Sequence, residues 1–137
     1  MTRRRTAVVS GGGTGIGMAI AGALLDDGCR VLLLGRRGEV LTEAAAVLSP
    51  RGQVDVQRVD LSDAADVEVV LPEAVERLGG TVDIVVANAG RPPTRSADGL
   101  TSLNNAWLDT MAGNTLTTVL LVEAVRPHLS DTGRLIL

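Results

Sequence analysis

Phenylalanine, tyrosine and lysine are absent from this 137-residue sequence, which also has only one tryptophan and one cysteine. Without large aromatic side chains, a hydrophobic core has to be built from Leu, Val, Ile and Ala, a composition typical of buried parallel strands and alanine-rich helices. Because Cys29 has no second cysteine to pair with, an internal disulfide and a metal site made of several cysteines are excluded. We therefore expect no bound metal, a buried Cys29 and, by default, a cytoplasmic location.

The charged residues limit the partners of the protein. All 13 basic residues are arginines, and with 16 acidic residues the net charge is -3. No basic stripe is interleaved with aromatic side chains that could stack on bases. The apolar runs are too short to span a bilayer, and the stretch after Arg3, Arg4 and Arg5 is too short for a signal peptide. The sequence therefore predicts neither a nucleic-acid partner nor a membrane partner.

Apolar runs and apolar periodicity predict the fold. Five short runs are predicted strands, and they cover residues 6–10, 30–34, 54–59, 82–87 and 134–137. Between them, apolar residues recur with the spacing of one helix face over residues 16–24, 41–48, 67–78 and 104–129. Alternating strands and helices form βαβ units, and right-handed crossovers place helices on both faces of a parallel sheet. We predict an α/β fold, a Rossmann-type doubly wound parallel sheet, as one domain over residues 1–137.

Local signals indicate where these elements start, bend and stop. Ser62 is the predicted N-cap of the third helix, with Asp63 in its first turn. Pro72 should kink that helix, because proline removes one helical hydrogen bond.

The familiar strand order 3-2-1-4-5-6 needs at least six strands. Since the sequence ends within its fifth apolar run, we expect a fold truncated during the fifth strand, which would then be an exposed apolar edge.

A glycine-rich turn, SGGGTGIG, follows the first predicted strand at residues 10–17. Glycines at a strand-to-helix turn let the backbone approach a pyrophosphate and aim the free N–H groups of the helix at its negative charge. The usual G-x-G-x-x-G spacing does not fit here, whereas G-x-x-x-G-x-G fits Gly11, Gly15 and Gly17. The turn alone is compatible with nucleotide binding and with tight packing. The candidate cofactor-binding residues of the turn are Gly11, Gly13, Thr14, Gly15, Ile16 and Gly17.

The residues after the second strand indicate which dinucleotide would bind. A site for NAD usually has Asp or Glu there to accept a hydrogen bond from the ribose 2′-hydroxyl, but this sequence has Arg36 and Arg37. Two guanidinium groups could bind a 2′-phosphate in a bidentate manner. The alternative is that both arginines are simply solvated at a helix start. We interpret them as a preference for NADP(H) over NAD(H).

The glycine-rich turn, together with four later motifs, resembles the short-chain dehydrogenases/reductases. The turn from Ser10 to Gly17 resembles the T-G-x-x-x-G-I-G turn of that family, with serine in place of the usual threonine. Asp60 and Leu61 are similar to the pair of the family that contacts the adenine. Asn88, Ala89 and Gly90 match the N-A-G motif that supports the central sheet and borders the cofactor.

The last third of the chain continues the resemblance in the correct order. The stretch WLDTMAGNTLTTVLLVEAVRPHL is similar to the helix of the family that contributes the asparagine of a catalytic tetrad, which corresponds to Asn114. The sequence GRLIL resembles the strand that leads to the catalytic serine. The resemblance therefore covers the whole chain and implies the N-terminal part of the dinucleotide-binding domain.

The resemblance implies hydride transfer between a nicotinamide and the carbonyl or alcohol carbon of a small molecule. In the family, a tyrosine transfers the proton, a lysine lowers the pKa of that tyrosine, and a serine orients the substrate oxygen. A nearby cation is needed because a free phenol has a pKa of about 10. This sequence contains no Tyr and no Lys, so Asn114 is the one catalytic member it can supply. We therefore expect the 137-residue chain to be inactive.

The family also implies a homo-oligomer for the full-length protein, paired through the long helix near residues 104–128.

Several alternatives remain open at this point. Asn88 could be an ordinary turn residue after a strand, and Asp60 could cap the following helix. The chain could be a non-catalytic NADP-binding module or remnant. A methyltransferase that uses S-adenosylmethionine also has a glycine-rich loop after its first strand, but it would need an acidic residue where Arg36 stands.

Overall fold

A computed structural model, which describes residues 2–93, 95 and 98–137, contains one parallel sheet with helices on both faces. The strand order is β3-β2-β1-β4-β5. The strands are β1 Thr6–Ser10, β2 Arg30–Gly35, β3 Val54–Arg58, β4 Val82–Val86 and β5 Leu129–Ile136. The helices are α1 Gly15–Asp26, α2 Gly38–Leu48, α3 Ala64–Arg77, α4 Leu100–Met111 and α5 Thr117–Val125. The predicted Rossmann-type α/β fold is confirmed. Because the chain crosses from β3 to β4 beside β1, the carboxyl ends of β1 and β4 flank the crevice where such sheets bind ligands.

The central strand β1 is covered on both of its faces. Val8 packs into a cluster with Leu71 and Leu121 from α3 and α5. Ala7 and Val9 point the other way, into a cluster that contains buried residues of α1 and α2. A strand that is buried on both faces gives a continuous apolar run instead of an alternating pattern, which is why this strand was predictable. Cys29 belongs to the second cluster, as expected, and burial raises the pKa of its thiol.

The fifth strand starts earlier than the apolar run that predicted it. Leu129 pairs with Val82, and after an irregularity Arg134 pairs with Ile84. The prediction of a strand at 134–137 was wrong at its start because residues 130–133 are polar and include a glycine. Leu135 and Ile136 are 43% and 49% exposed, as expected for an apolar edge.

The predicted helical region over residues 104–129 is helical in the structure, but it begins earlier, at Leu100, and ends at His128. It consists of α4, a π-helical turn at Ala112–Leu116, α5 and a short 3₁₀ turn at Arg126–His128. The apolar pattern predicted the helical region but did not identify the π-helical turn within it. Single π-turns inside α-helices are frequent at functional sites.

The cap of α3 also differs from the prediction. Asp63 is the N-cap, and its side chain accepts hydrogen bonds from the main-chain N–H groups of Ala65 and Asp66. Ser62 instead donates its hydroxyl to the Asp60 carboxylate, at 2.6 Å, and is therefore unavailable as a cap. The helix runs through Pro72 without ending there. A kink at Pro72 stays a prediction.

The described part of the chain contains neither a candidate membrane-spanning helix nor a candidate metal-binding cluster. None of its helices has both the length and the apolar character needed to cross a bilayer. Its His, Cys, Asp and Glu residues form no group of three or more that could hold a metal ion.

Asp83 joins the first residues of the chain to β4. Its carboxylate accepts a hydrogen bond from the main-chain N–H of Thr6, at 2.8 Å, and one from the Arg3 guanidinium, at 2.7 Å. Burial of Asp83 opposes its ionisation, but the bonds from Arg3 and Thr6 outweigh this and lower the pKa of the carboxyl below its ordinary value. The ionised carboxylate therefore stabilises the entry of the chain into β1.

We expect Asp83→Asn to lower the free energy of unfolding by about 2 kcal/mol at pH 7, because a buried N–H loses a charged acceptor. Since the folded-state pKa of Asp83 is depressed, its contribution is present above the pKa of the unfolded chain and is lost as the pH falls through the folded-state pKa. Urea unfolding followed by circular dichroism at pH 7 and near pH 3 should show the two proteins converging at low pH. Glu123→Gln, which breaks an exposed ion pair with Arg126, is the control and should change stability by less than about 0.5 kcal/mol. A difference between wild type and Asp83→Asn that grows as the pH falls would contradict this account.

Candidate cofactor site

The glycine-rich turn after β1 needs glycine for two different reasons. Gly11 and Gly15 have φ angles of 62° and 53°, in the left-handed region that other residues avoid. Gly17 lies in close contact with the turn itself, since a Cβ atom there would be 2.2 Å from the Gly11 carbonyl oxygen. The first requirement sets the path of the turn, and the second lets α1 pack directly against it.

The start of α1 has the features of an anion-binding turn. Thr14 is the N-cap, its backbone is extended, and its side chain makes no capping hydrogen bond. The first N–H groups of an α-helix have no partner within the helix. A Cβ atom on Gly15 would meet no atom within 4 Å, so the space above the turn is open. Ile16 is exposed beside it. The turn therefore fits a pyrophosphate group, which needs main-chain donors and a close approach.

Ser10 connects the glycine-rich turn to the end of β4, a role that the sequence did not reveal. Its buried hydroxyl accepts hydrogen bonds from the main-chain N–H groups of Asn88 and Ala89, at 3.0 and 2.9 Å. The same hydroxyl donates to the Val86 carbonyl, at 3.3 Å. The Asn88 side-chain amide donates to the carbonyls of Ser10 and Gly11, at 3.3 and 3.4 Å. Asn88 therefore holds two strand ends together and is more than a simple turn residue.

Arg36 and Arg37 lie at the end of β2, and both line the cleft beside the glycine-rich turn. Arg37 is the N-cap of α2 and its side chain makes no capping hydrogen bond. Seven other arginines form ion pairs with carboxylates, but within residues 2–93, 95 and 98–137 no ion pair within 4 Å involves Arg36 or Arg37. Two unpaired cations at one edge of a cleft indicate an anionic ligand.

Asp60, which follows β3, also lines the cleft and is ionised. Hydrogen bonds from the Ser62 hydroxyl and the Ser62 main-chain N–H are the main reason that the pKa of this carboxyl is lowered, and Arg36 adds to the effect. The main-chain N–H of Asp60 donates to Asp66, at 2.7 Å. Leu61 is buried beneath it. Because Asp60 bonds to Ser62 and not to the first helical N–H groups, it does not cap α3.

Asn114 lies in the π-helical turn and is held by the segment after β4. Its side-chain oxygen accepts from the Arg91 N–H and its amide nitrogen donates to the Arg91 carbonyl, both at 3.1 Å. The hydroxyls of Thr117 and Thr118 each donate to the Asn114 carbonyl, at 3.2 Å. A Cβ atom on Gly90 would lie 2.7 Å from the Asn114 side-chain oxygen, so this contact needs glycine. Threonine hydroxyls in helices commonly bond back to the carbonyl three or four residues earlier, so these bonds are local to the helix.

Arg91 is a second residue that the sequence analysis missed. Its guanidinium pairs with the Asp109 carboxylate and also donates to the Asp109 carbonyl, at 2.8 Å. The side chain passes so close to Gly113 that a Cβ atom there would be 2.3 Å from the Arg91 Nε. No local pattern marks such a residue, because its partners come from a distant helix.

These residues surround a cleft of about 190 Å³ at the carboxyl ends of the strands. Nine predicted residues line the cleft, and they are Gly11, Gly13, Thr14, Arg36, Arg37, Asp60, Leu61, Ala89 and Gly90. The predicted residues Gly15, Ile16, Gly17, Asn88 and Asn114 lie around it without lining it. Several other lining residues had no predicted role in the site, among them Val40, Ser62, Arg91 and Thr117. The cleft can therefore hold an elongated ligand with anionic groups near the glycine-rich turn and near the arginines.

Comparison with known proteins agrees with this geometry. A model of the short chain dehydrogenase family matches residues 5–137. The oxidoreductase asL5 of Sarocladium schorii is 35% identical over 130 residues, which are 94% of this chain and 50% of that protein. Among solved structures, an alcohol dehydrogenase from Thermococcus sibiricus complexed with 5-hydroxy-NADP superimposes with a TM-score of 0.84, at 31% identity over 97% of this chain and 57% of that one. The Pseudomonas aeruginosa RhlG/NADP active-site complex gives a TM-score of 0.78, at 31% identity over 90% of this chain and 46% of that one.

The chain spans about half the length of these relatives, because the matched residues cover 46% to 57% of each relative. The match begins before β1 and continues to the last residue, so it includes every strand and helix of the sheet. The methyltransferase alternative is set aside on this ground. The chain belongs to the short-chain dehydrogenase/reductase family and comprises a Rossmann-type part of that fold.

Proposed function

We propose that residues 1–137 are the cofactor-binding portion of an NADP(H)-preferring short-chain oxidoreductase. Its small-molecule substrate would be a carbonyl compound or an alcohol. The observation that carries the cofactor preference is the position of Arg36 and Arg37, which line the cleft at the end of β2 without an ion-pair partner among the described residues. An acidic residue at this place would favour the ribose 2′-hydroxyl of NAD, whereas guanidinium groups favour a 2′-phosphate.

Each predicted residue has a definite task in this proposal. The turn at Gly11–Gly17 binds the pyrophosphate through main-chain N–H groups, and Arg36 and Arg37 bind the 2′-phosphate. Asp60 and Leu61 would contact the adenine, while Asn88, Ala89 and Gly90 would support the central sheet and border the cofactor. The bound cofactor would supply or accept the hydride. This chain contributes the binding, orientation and electrostatics.

The catalytic part of the proposal is limited to Asn114. Its side-chain amide is fixed by the Arg91 main chain, so it has a defined position beside the cleft. The printed sequence contains no Tyr and no Lys, the residues that the family uses for proton transfer. We accordingly propose that the 137-residue chain binds cofactor weakly at best and does not turn over substrate. The alternative function, a non-catalytic NADP-binding module, predicts the same absence of turnover for this chain.

Two further expectations stay predictions. Apolar side chains on α4 and α5 support a homo-oligomer of the full-length protein, since Trp107, Leu108 and Val119 are 63%, 59% and 50% exposed. Exposed apolar surface of this kind often marks a contact with another protein. The cytoplasmic location rests on the single, unpaired Cys29.

Titration of the purified chain with NADPH and NADH, followed by nicotinamide fluorescence, tests the cofactor preference. We expect the wild-type chain to bind NADPH more tightly than NADH. Arg36→Ser should weaken NADPH binding about 30-fold, because a hydrogen bond between charged groups contributes about 2 kcal/mol, and should change the NADH affinity little. Arg126→Ser removes the same charge at an exposed position away from the cleft and should leave both affinities unchanged. Equal affinities of the wild-type chain for NADPH and NADH would contradict the proposal.

A further inference from the structure

Arg58 is the last residue of β3 and lies beside the connection that carries Arg36 and Arg37. In the sheet register it pairs with Gly35, the last residue of β2. Its Nε donates a hydrogen bond to the Arg36 carbonyl, at 3.0 Å. The main-chain N–H of Val59 donates to the Gly35 carbonyl, at 2.9 Å, so two successive carbonyls after β2 accept hydrogen bonds from the end of β3. Arg58 thereby fixes the backbone from which the Arg36 side chain projects.

The Arg58 side chain continues toward the start of α2. A Cβ atom on Gly38, the first residue of that helix, would lie 3.8 Å from the Arg58 Cδ, which is ordinary van der Waals contact. Since Nε binds the Arg36 carbonyl, the two terminal nitrogens of Arg58 stay available for another acceptor. Arg58 is therefore close to the edge of the cleft without being part of its lining.

Three arginines lie at this corner without an ion pair. In the described part of the chain no ion pair within 4 Å involves Arg36, Arg37 or Arg58, although seven arginines elsewhere are paired. Asp60, two residues after Arg58, is the carboxylate whose charge interacts with Arg36, and it does so beyond ion-pair distance. Three positive charges near one carboxylate leave a net positive charge at this corner, which attracts an anion.

We propose that Arg58 is a third determinant of the preference for a 2′-phosphorylated nucleotide. It acts in two ways, by holding the Arg36 main chain in place and by adding positive charge behind the phosphate. This inference rests on the proposed function, because it assumes that the corner formed by Arg36, Arg37 and Arg58 receives the 2′-phosphate of NADP(H). It assigns a role to a strand-end residue that lies outside the glycine-rich turn and outside the Arg36–Arg37 pair.

The test is the ratio of NADH to NADPH dissociation constants, measured for wild type, Arg58→Met and Arg58→Lys by fluorescence titration at low and high salt. Arg58→Met should lower the ratio about fivefold at low ionic strength, with NADH affinity within about twofold of wild type, because the 2′-phosphate that this proposal places at the corner is absent from NADH. The effect should shrink as salt screens the charge. Arg58→Lys should restore most of the ratio, because lysine keeps the charge but not the planar donor group. Arg126→Met is the matched control for the change in net charge.

The possible outcomes separate the inference from the function on which it rests. If the wild-type chain prefers NADPH, and Arg36→Ser removes that preference while Arg58→Met does not, the role of Arg58 is wrong and the cofactor proposal stands. If Arg58→Met weakens NADH and NADPH equally, Arg58 is merely structural and the inference is also wrong. If the wild-type chain shows no preference, the cofactor proposal fails and this inference fails with it. Thermal unfolding of each variant confirms that a folded protein is compared.

Discussion

Gly17→Ala should lower the free energy of unfolding by about 3 kcal/mol and abolish measurable cofactor binding. Alanine in place of glycine inside a helix normally stabilises it by up to about 1 kcal/mol. Here the new methyl group would lie 2.2 Å from the Gly11 carbonyl oxygen and 2.6 Å from the Asn88 side-chain nitrogen. The first of these atoms belongs to the main chain of a tight turn, so it cannot move aside without displacing the turn. The overlap therefore outweighs the gain in helix propensity.

Gly22→Ala is a matched control in the same helix. A Cβ atom on Gly22 would be 2.1 Å from an Arg51 guanidinium nitrogen, an overlap as severe as the one at Gly17. The neighbour here is the far end of a flexible side chain, which can move at the cost of its exposed ion pair with Asp26. Exposed pairs of this kind contribute little to stability, so Gly22→Ala should be close to neutral. Urea unfolding followed by circular dichroism measures both variants. Equal stability of Gly17→Ala and Gly22→Ala would refute the argument from main-chain rigidity.

The fold was predictable because its three central strands, β2, β1 and β4, are buried on both faces. Val8 and Val9 lie in opposite clusters, and both are fully buried, so β1 forms one apolar run. Parallel strands of this kind are separated by helices with one apolar face, and that alternation identifies the fold class. The start of β5 was not predictable in the same way, because its first residues pair with β4 through a polar, irregular stretch.

The candidate site was predictable where a backbone conformation demands a particular residue. The left-handed φ angles of Gly11 and Gly15 require glycine, and this requirement is visible in the sequence. The hydrogen bonds between the Asn114 amide and the main chain of Arg91 were not visible, because the two residues are 23 positions apart along the chain. Arg91 and Arg58 were missed for the same reason, since their partners are distant along the chain.

The choice between Ser62 and Asp63 as the cap of α3 shows how neighbours decide between equivalent candidates. Both residues are good N-caps by type. Asp60 accepts hydrogen bonds from the Ser62 hydroxyl and N–H, at 2.6 and 3.0 Å, so the Ser62 hydroxyl does not cap the helix. The same bonds lower the pKa of Asp60 and keep it ionised on the wall of the cleft. One local hydrogen-bond pattern therefore sets both the start of a helix and the charge of a site residue.

Ser10→Ala should lower the free energy of unfolding by about 3 kcal/mol, although it removes a single oxygen atom. The Ser10 side chain is 1% exposed, and its hydroxyl satisfies the N–H groups of Asn88 and Ala89 and the carbonyl of Val86. Leaving such groups without a partner costs about 1 to 3 kcal/mol for each one that water cannot reach. The loss should also weaken NADPH binding, because Ser10 holds the glycine-rich turn against the end of β4.

Ser10→Thr and Ser10→Val separate the hydroxyl from the volume of the side chain. Threonine and valine have nearly the same shape and both suit a strand, but only threonine can replace the three hydrogen bonds. We expect the threonine variant to be more stable than the valine variant by about 3 kcal/mol in urea unfolding, whatever the cost of the added methyl group. Equal stability of these two variants would mean that the hydroxyl contributes nothing. In that case packing alone would hold the turn, and the affinity for NADPH should follow side-chain volume instead of hydrogen-bonding capacity.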